Sequence, residues 1–523
     1  MKTILSLPMV ALLPSLGLLG CGDTINHYST TNVYGQSGAD AGSEDEEPPP
    51  RPGPRDAGEE PTEPEDASTP EDASTPEDPS TPEDASTPEP VEPDSGTAVD
   101  PDAELLVGAP KPNTATADLD VDVFGTAGNK YWFAVDPAQV ERMNNGGGGG
   151  VIIDGPWFGG DIYTPGDQGG YTTFAKRLLV TKAGAPSKTA DFGKVEVRVV
   201  GQSTNRPWTP DSIPNLKVDT NEFQEKLEVN DVEHLRFNNG LVGSIFREKL
   251  TLDVFDGLGY PAPRATYAWV SSNVWGAEVD VPYTLVEVYK RGFCRRQGDA
   301  WGGDCNNIWE FVGDLDGIAQ SPENCQLKEC ENTRAQEFSD AVLGTPQGEG
   351  FKDALTEWVD WDAFHKFQCL SWLLWIGDDA LHNYNNVVIA ERKDGLFQYL
   401  PYSVDISAGQ DWYQNTPLYG QNMLARGCQS DEQCWADTIA MCEDTVAKFI
   451  ALDPVAMVDA QYTELETLGM LRPGDEGRHK QLRDWYVTRV EDAAAELEQY
   501  RELPPQCEYP YIQCGDSCQL EWE

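Results

Sequence analysis

Positive charge is what this chain has least of. Its 37 Lys and Arg stand against 89 Asp and Glu, a formal net charge of −52 over 523 residues. A nucleic-acid surface gathers basic residues on one face or along one helix, and no stretch does so here, which argues against nucleic acid as a partner. Histidine is scarcer still, at five. None stands at zinc-ligand spacing and no paired CxxC occurs, so zinc is a poor reading of the cysteines. Neither a nucleophile elbow nor a metal triad is visible, which leaves a secreted hydrolase without its machinery. The five-glycine run Gly146 to Gly150 has no Lys-Ser/Thr after it, so it reads as a connector and not as a phosphate-cradling loop. Glu44 to Glu104 lacks aromatic side chains altogether, carrying 22 acidic residues, 15 prolines and only Arg51 and Arg55 as cations. Elsewhere aromatics are plentiful, with 17 Phe, 15 Trp and 19 Tyr. The chain therefore combines a segment that cannot bury a core with one that can.

The N-terminus carries the marks of export. Lys2 precedes an apolar run from Ile4 to Leu19, too short to span a bilayer, that ends in Leu18-Leu19-Gly20-Cys21. That ending resembles a bacterial lipobox, which implies cleavage after residue 20, lipid on Cys21 and a membrane anchor there. Gly22, where an Asp would retain the protein at the inner membrane, implies the outer membrane or cell surface. Residues 21–105 then read as a disordered, acidic, Pro-rich tether, with Ser-Thr-Pro-Glu-Asp recurring at Ser68, Ser74 and Ser80 and, without the Asp, at Ser86. Eleven further cysteines suit an oxidising compartment and allow up to five disulfides with one spare. Cys369, in an apolar helical stretch, is the expected free one.

The folded part, about Val107 to Tyr500, opens with strand patterns. These are Tyr131 to Val135, Arg177 to Thr181 and Lys194 to Val200, the last alternating Val195, Val197 and Val199 with Glu196 and Arg198. Asn215 to Asp219 is a short strand bearing Lys217. Helical periodicity follows through Leu241, Ile245, Leu250 and Phe255, then strands at Thr266 to Val270 and Pro282 to Tyr289. Asp360-Trp361-Asp362 starts a buried helix expected to run to Gly377. His365 lies among its core-side aromatics and reads as packed. Directly after it come Asp378-Asp379-Ala380-Leu381-His382-Asn383-Tyr384-Asn385-Asn386, a hairpin turning at Lys393-Asp394-Gly395, and Asp405. Helices are expected over Asp431 to Leu452, Pro454 to Leu468 and Arg478 to Tyr500, and Asp314 to Gly317 as a turn. A buried helix delivering a carboxylate loop, an amide a few residues on, and a second carboxylate past a hairpin is the order that phosphoryl transfer needs. Asp and Asn are also ordinary cap and turn residues, so the pattern alone leaves both readings open.

Phe246-Arg247-Glu248-Lys249-Leu250 followed by Leu258 to Arg264, Tyr283 to Glu287, Arg198 to Ser203, His382 to Asn386 and Pro401 to Asp405 resemble the motifs of the CotH kinase family of spore-coat and secreted proteins. The resemblance implies an α+β, bilobal, protein-kinase-like fold with a strand-rich N-lobe and a helical C-lobe. It implies ATP with Mg²⁺ or Mn²⁺ and phosphorylation of protein Ser or Thr. By position, Lys217 would contact phosphate and pair with Glu248; Asp379, with Asp378 as rival, would be the catalytic carboxylate; Asn386 or Asn385, and Asp405, would hold metal. The family's tandem acid stands here as Ser403-Val404-Asp405. The expected organisation is a signal peptide over 1–20, the tether over 21–105, an N-lobe over 106–293, a Cys-containing insertion over 294–350, a C-lobe over 351–502 and a Cys-rich tail over 503–523. The expected function is an exported, lipid-anchored kinase acting on a secreted or surface protein partner. A kinase fold kept only for surface binding or adhesion is the alternative.

Overall fold

Alternation of apolar residues along the N-terminal half builds a sheet, and the longer apolar periodicities of the C-terminal half build helices, as the sequence leads one to expect. The computed structural model describes residues 102–501, apart from 146–148, 154–161, 167–172, 201–205, 224–228, 230, 231, 241–243, 277, 319–324 and 410–415, together with 511–514 and 517–520. The expected export signal, Cys21, the expected tether up to residue 101 and Cys507 lie outside these.

In chain order the elements are β1 (Asn129–Ala134), α1 (Pro137–Asn145), β2 (Gly149–Ile153), β3 (Ile162–Gly166), β4 (Phe174–Ala175), β5 (Arg177–Thr181), β6 (Thr189–Asp191), β7 (Val195–Val200), β8 (Asn215–Asp219) and β9 (His234–Asn238). Then come α2 (Arg247–Gly257), β10 (Ala265–Ser272), β11 (Asp280–Glu287), α3 (Arg291–Arg296), β12 (Cys305–Phe311), α4 (Asn332–Gly344), α5 (Phe351–Ala354) and α6 (Trp361–Leu373). The chain closes with β13 (Val387–Arg392), β14 (Phe397–Leu400), α7 (Met423–Gln429), α8 (Glu432–Leu452), α9 (Pro454–Leu468), α10 (Asp475–Glu498), β15 (Tyr511–Cys514) and β16 (Ser517–Leu520).

Nine strands form one sheet in the order β4-β7-β8-β9-β11-β10-β1-β5-β6. All of its pairings are antiparallel except β1 with β10. Tyr131 and Phe133 of β1 enter a core with Leu216, Val218, Leu235, Phe237 and Tyr283, while Trp132 and Ala134 pack on the opposite face against Leu105, Leu106 and Ala109. Burial on both faces explains why that strand reads as an unbroken apolar run. A second, larger core gathers α2, α6, α8, α9 and α10 around buried aromatics such as Trp372, Phe364, Phe449 and Tyr486. Each such side chain taken out of water contributes about 1.5–3 kcal/mol. Two cores, one under the sheet and one among helices, lie within a single unit, Val99–Glu523.

Local signals set several boundaries. Asp360 caps α6 by accepting from Ala363 N at 3.1 Å, and Asp431 caps α8 by accepting from Gln433 N and Cys434 N. Pro454 at the start of α9 suits the first turn, where no backbone donor is needed. α6 ends at Leu373, four residues short of Gly377: the chain leaves helical geometry through Trp375, which has φ 48°. Asp314 caps the short 3₁₀ turn 315–317, so it is occupied as a turn residue. Among the described residues no helix is long and apolar enough to cross a membrane.

Within 294–350, β12 pairs with β13 and so completes a three-stranded sheet, β12-β13-β14. Among the described residues, three disulfides join Cys294 to Cys305, Cys325 to Cys330 and Cys428 to Cys434. Cys369 is free, as the sequence leads one to expect, but Cys442 is free as well, and both are buried.

Candidate functional site

β7, β8 and β9 alternate side chains between the core and the opposite face. Val197, Val199, Leu216, Val218, Leu235 and Phe237 are buried in the sheet core. Their neighbours Arg198, Lys217 and Arg236 then share the other face, and the ladder sets Arg198 opposite Lys217 and Lys217 opposite Arg236. A row of three cations across adjacent strands is unfavourable unless anions meet it. The strain is visible in their neighbours: burial and the charge of Lys217 push the Lys290 amino group down to about 8, and burial with Lys290 and Lys217 pushes His234 down to about 3. Lys217 is itself pushed down, chiefly by burial, with Glu310 opposing the shift.

Carboxylates gather at the Arg236 end. Burial works against its charge, yet Tyr402, Glu248, Glu310 and Asp405 hold the guanidinium protonated beyond its ordinary range. Its Cζ lies 4.7 Å from the Tyr402 ring centre, a cation–π contact. Glu248, on the first turn of α2 and 3% exposed, accepts from Asn238 Nδ2 at 2.7 Å. Burial raises its carboxyl to about 7, against the pull of Arg236. Asp405 is also raised, mainly by burial, with Arg236 opposing it and Asp378 adding to it. Arg236 is thus the cation beside Glu248, while Lys217 stands one strand further out. β9 carries no strand assignment in the sequence reading, although its Leu235 and Phe237 alternate with His234, Arg236 and Asn238, which is the period-two signal. Glu310 is missed for a different reason: β12 belongs to a Cys-bearing stretch with no motif, and only pairing with β13 brings it here.

The two neighbouring aspartates after α6 have different surroundings. Asp379, 4% exposed, accepts from Leu381 N at 2.9 Å, His382 N at 3.0 Å, His382 Nδ1 at 2.8 Å and the Ser371 hydroxyl. His382 Nε2 reaches Pro417 O at 3.0 Å; burial would lower this imidazole, but the Asp379 charge raises it instead. Asp378 is half-buried and is approached by three amides, Asn383, Asn385 at 3.0 Å and Asn386 at 3.0 Å. Asn386 also donates to the Asp378 carbonyl at 2.8 Å. Asn383 is five residues beyond Asp378, the catalytic-loop spacing of protein kinases. The charge of Asp378 acts on Asp405, while Asp379 is taken up by bonds within its own loop and to Ser371.

The backbone carries strain in the same place. Among the described residues seven non-glycine positions have positive φ, and five of them, Trp375, Tyr384, Asn386, Ser403 and Ala408, lie within the loops that hold Asp378 and Asp405. Such conformations cost about 1–3 kcal/mol each and persist where surrounding structure enforces them, typically at functional sites. One enforcing contact is Arg247, 4% exposed, whose Nη1 donates to Ser407 O at 2.5 Å and Ala408 O at 2.7 Å. Thr251 and Ser407 hydroxyls add a 2.7 Å bond. α2 thus holds the Asp405 loop through Arg247 and presents Glu248 to it from the next position.

Comparison with known proteins places these elements. Inner spore coat protein H of Bacillus subtilis is 25% identical over 193 residues, 35% of this chain and 50% of that protein. The chain thus spans half the length of that curated relative. Among solved structures, HipA of the Shewanella oneidensis toxin–antitoxin system covers 51% of this chain and 60% of its own at 10% identity and a TM-score of 0.29. The Helicobacter pylori proinflammatory kinase CtkA covers 55% and 92% at 8% identity and a TM-score of 0.27. Scores this low carry no argument about the fold. The profile of the CotH kinase proteins matches residues 211–503, more than half of the chain and all of the site from Lys217 to Asp405, and this protein belongs to that family.

Proposed function

We propose that this protein is an exported, lipid-anchored kinase that transfers the γ-phosphoryl group of ATP to Ser or Thr hydroxyls of a secreted or surface protein. The observation that carries the reading is the cation row Arg198, Lys217 and Arg236, whose Arg236 end meets the carboxylates Glu248 and Asp405, with Asp378 acting on Asp405. Glu196 pairs with Arg198 and carboxylates surround Arg236, so Lys217 is the cation placed to meet an anionic ligand, and phosphates supply one. The hard oxygens of Asp405 and the side-chain amides Asn385 and Asn386 suit Mg²⁺ or Mn²⁺ in kind. A divalent ion held by these residues would supply positive charge against the phosphates in the transition state.

The chain's own groups do the rest. Lys217 orients the phosphates, and Arg236 holds Glu248 and Asp405 beside it. Asp378, half-buried and held by amides, is the better placed carboxylate to accept the acceptor hydroxyl's proton; Asp379, occupied by four donors, positions it. Three disulfides and the N-terminal signal support an oxidising, exported location, and Cys21 is the proposed anchor. One observation favours the alternative of a non-catalytic binding protein: Ser403 replaces a carboxylate of the family's tandem acid, and its hydroxyl only donates to Asp405 at 3.2 Å. Incubation of residues 106–523 with γ-labelled ATP and Mg²⁺ or Mn²⁺ separates the two. Label in the protein or in a Ser/Thr-rich acceptor, absent in Asp405→Ala, supports the kinase. No labelling together with no nucleotide-dependent rise in Tm leaves the binding protein.

A further inference from the structure

α6 and α8 pack side by side, and one hydrogen bond sets their register: His365 Nδ1 meets Thr438 Oγ1 at 2.9 Å. One turn further along each helix, at the i+4 positions, stand Cys369 and Cys442. Both are 0% exposed and both belong to the helical core. The Cys442 thiol has the Cys369 thiol as its polar neighbour; burial first, and then that neighbour, push it well above its ordinary range. Two thiols so buried are shielded from solvent and neighbour one another.

The rest of the seam indicates the chemistry of its surroundings. One turn before Thr438 on α8 stands Cys434, already bonded to Cys428, and His365 lies close to both sulfurs. The other four described cysteines of the folded core are bonded as well. The protein is therefore built for an oxidising compartment, where a facing pair of thiols on adjacent helices does not stay reduced through folding. We infer that Cys369 and Cys442 form a further disulfide, which ties α6, the helix that leads into the Asp378 loop, to α8. The two thiols lose two protons and two electrons, and the disulfide of a thiol–disulfide oxidoreductase takes them up to become a dithiol, by way of a mixed disulfide on one of the two cysteines. The exchange takes place during folding, before the helices close over the pair. The two cysteines are 73 positions apart, against 11, 5 and 6 for the three disulfides among the described residues, so this bond restricts the unfolded chain more than any of those. It also anchors the helix on which Ser371, two residues past Cys369, donates to Asp379.

The test uses the full chain secreted into an oxidising compartment. It is denatured without reductant in N-ethylmaleimide, then reduced, labelled with iodoacetamide and digested for mass spectrometry. The expected result is iodoacetamide on Cys369 and Cys442, and a peptide pair joined through them in the unreduced digest. N-ethylmaleimide on both, with Cys294–Cys305 and Cys428–Cys434 intact, overturns the inference. A second measurement compares the fall in Tm on adding reductant: the wild type should lose several degrees more than the Cys369→Ala/Cys442→Ala protein, and equal losses overturn it too.

Discussion

Lys217 and Arg236 stand directly opposite one another in the β8–β9 ladder, yet their surroundings drive them in opposite directions. Burial lowers the lysine, whereas Glu248, Glu310, Asp405 and Tyr402 outweigh burial at the arginine and keep it charged. The two cations therefore serve different ends, because protein carboxylates neutralise the arginine while the lysine remains available to an anionic ligand.

Replacing Arg236 by Met leaves Glu248 and Asp405 buried beside each other without a cation. The expected loss is about 3 kcal/mol of unfolding free energy at pH 8, read from urea denaturation, together with loss of phosphorylation. Because Glu248 binds its proton near pH 7, the deficit should shrink at pH 6. Lys217→Met should lose phosphorylation with little change in the urea midpoint. Equal destabilisation by the two variants would remove the distinction between them.

The neighbouring aspartates should separate by readout. Asp378→Asn is expected to reduce phosphate incorporation by about 10²-fold or more while the melting temperature stays within a few degrees. Asp379→Ala strands the donors of Ser371, Leu381 and His382 and should cost about 3 kcal/mol, visible by calorimetry without any nucleotide. The reverse pattern would exchange the two roles.

Arg247 is expected to act through the Asp405 loop. Arg247→Ala removes two donors from the carbonyls of Ser407 and Ala408, a loss of about 2–3 kcal/mol. Lysine should restore only part of it, since an ammonium is a point donor where the guanidinium is a planar fork. Hydrogen exchange at residues 405–409 should rise in the alanine variant; unchanged exchange there would disconnect the loop from α2.

Acid sensitivity should come partly from His365. Burial pushes this imidazole from its ordinary 6.5 down to about 3, so between these values the unfolded chain takes up a proton that the folded one refuses. Stability is therefore full above about pH 6.5 and falls as the pH drops toward 3. His365→Asn should flatten that part of the Tm profile. A slope identical to wild type would show that the histidine does not contribute.

Much of the site's frame is legible in the chain. Asp360 and Asp431 announce α6 and α8, Pro454 and Gly469 bracket α9, and Lys393-Asp394-Gly395 marks the turn between β13 and β14. Strand β8 and the acids after α6 stand where the motifs put them. What stays hidden is which of two adjacent aspartates faces inward, since both are polar residues of one irregular loop and only φ at Trp375 and the loop's amide bonds orient them. Glu310 is equally invisible, because its strand has neither motif nor caps.

By itself the sequence determined the acidic, Pro-rich segment's inability to bury a core, the order of strands before helices, and the residue types that could bind phosphate and metal. These follow from composition and from periods of two and 3.6 residues, which are local properties. The tertiary structure decided that Glu248 meets Arg236 and not Lys217, that Asp379 turns to Ser371 and His382 while Asn383, Asn385 and Asn386 gather on Asp378, and that Cys369 meets Cys442. Each of these depends on strand register, on helix packing between segments distant in sequence, or on one backbone rotation, and no local pattern encodes which of several equivalent side chains arrives.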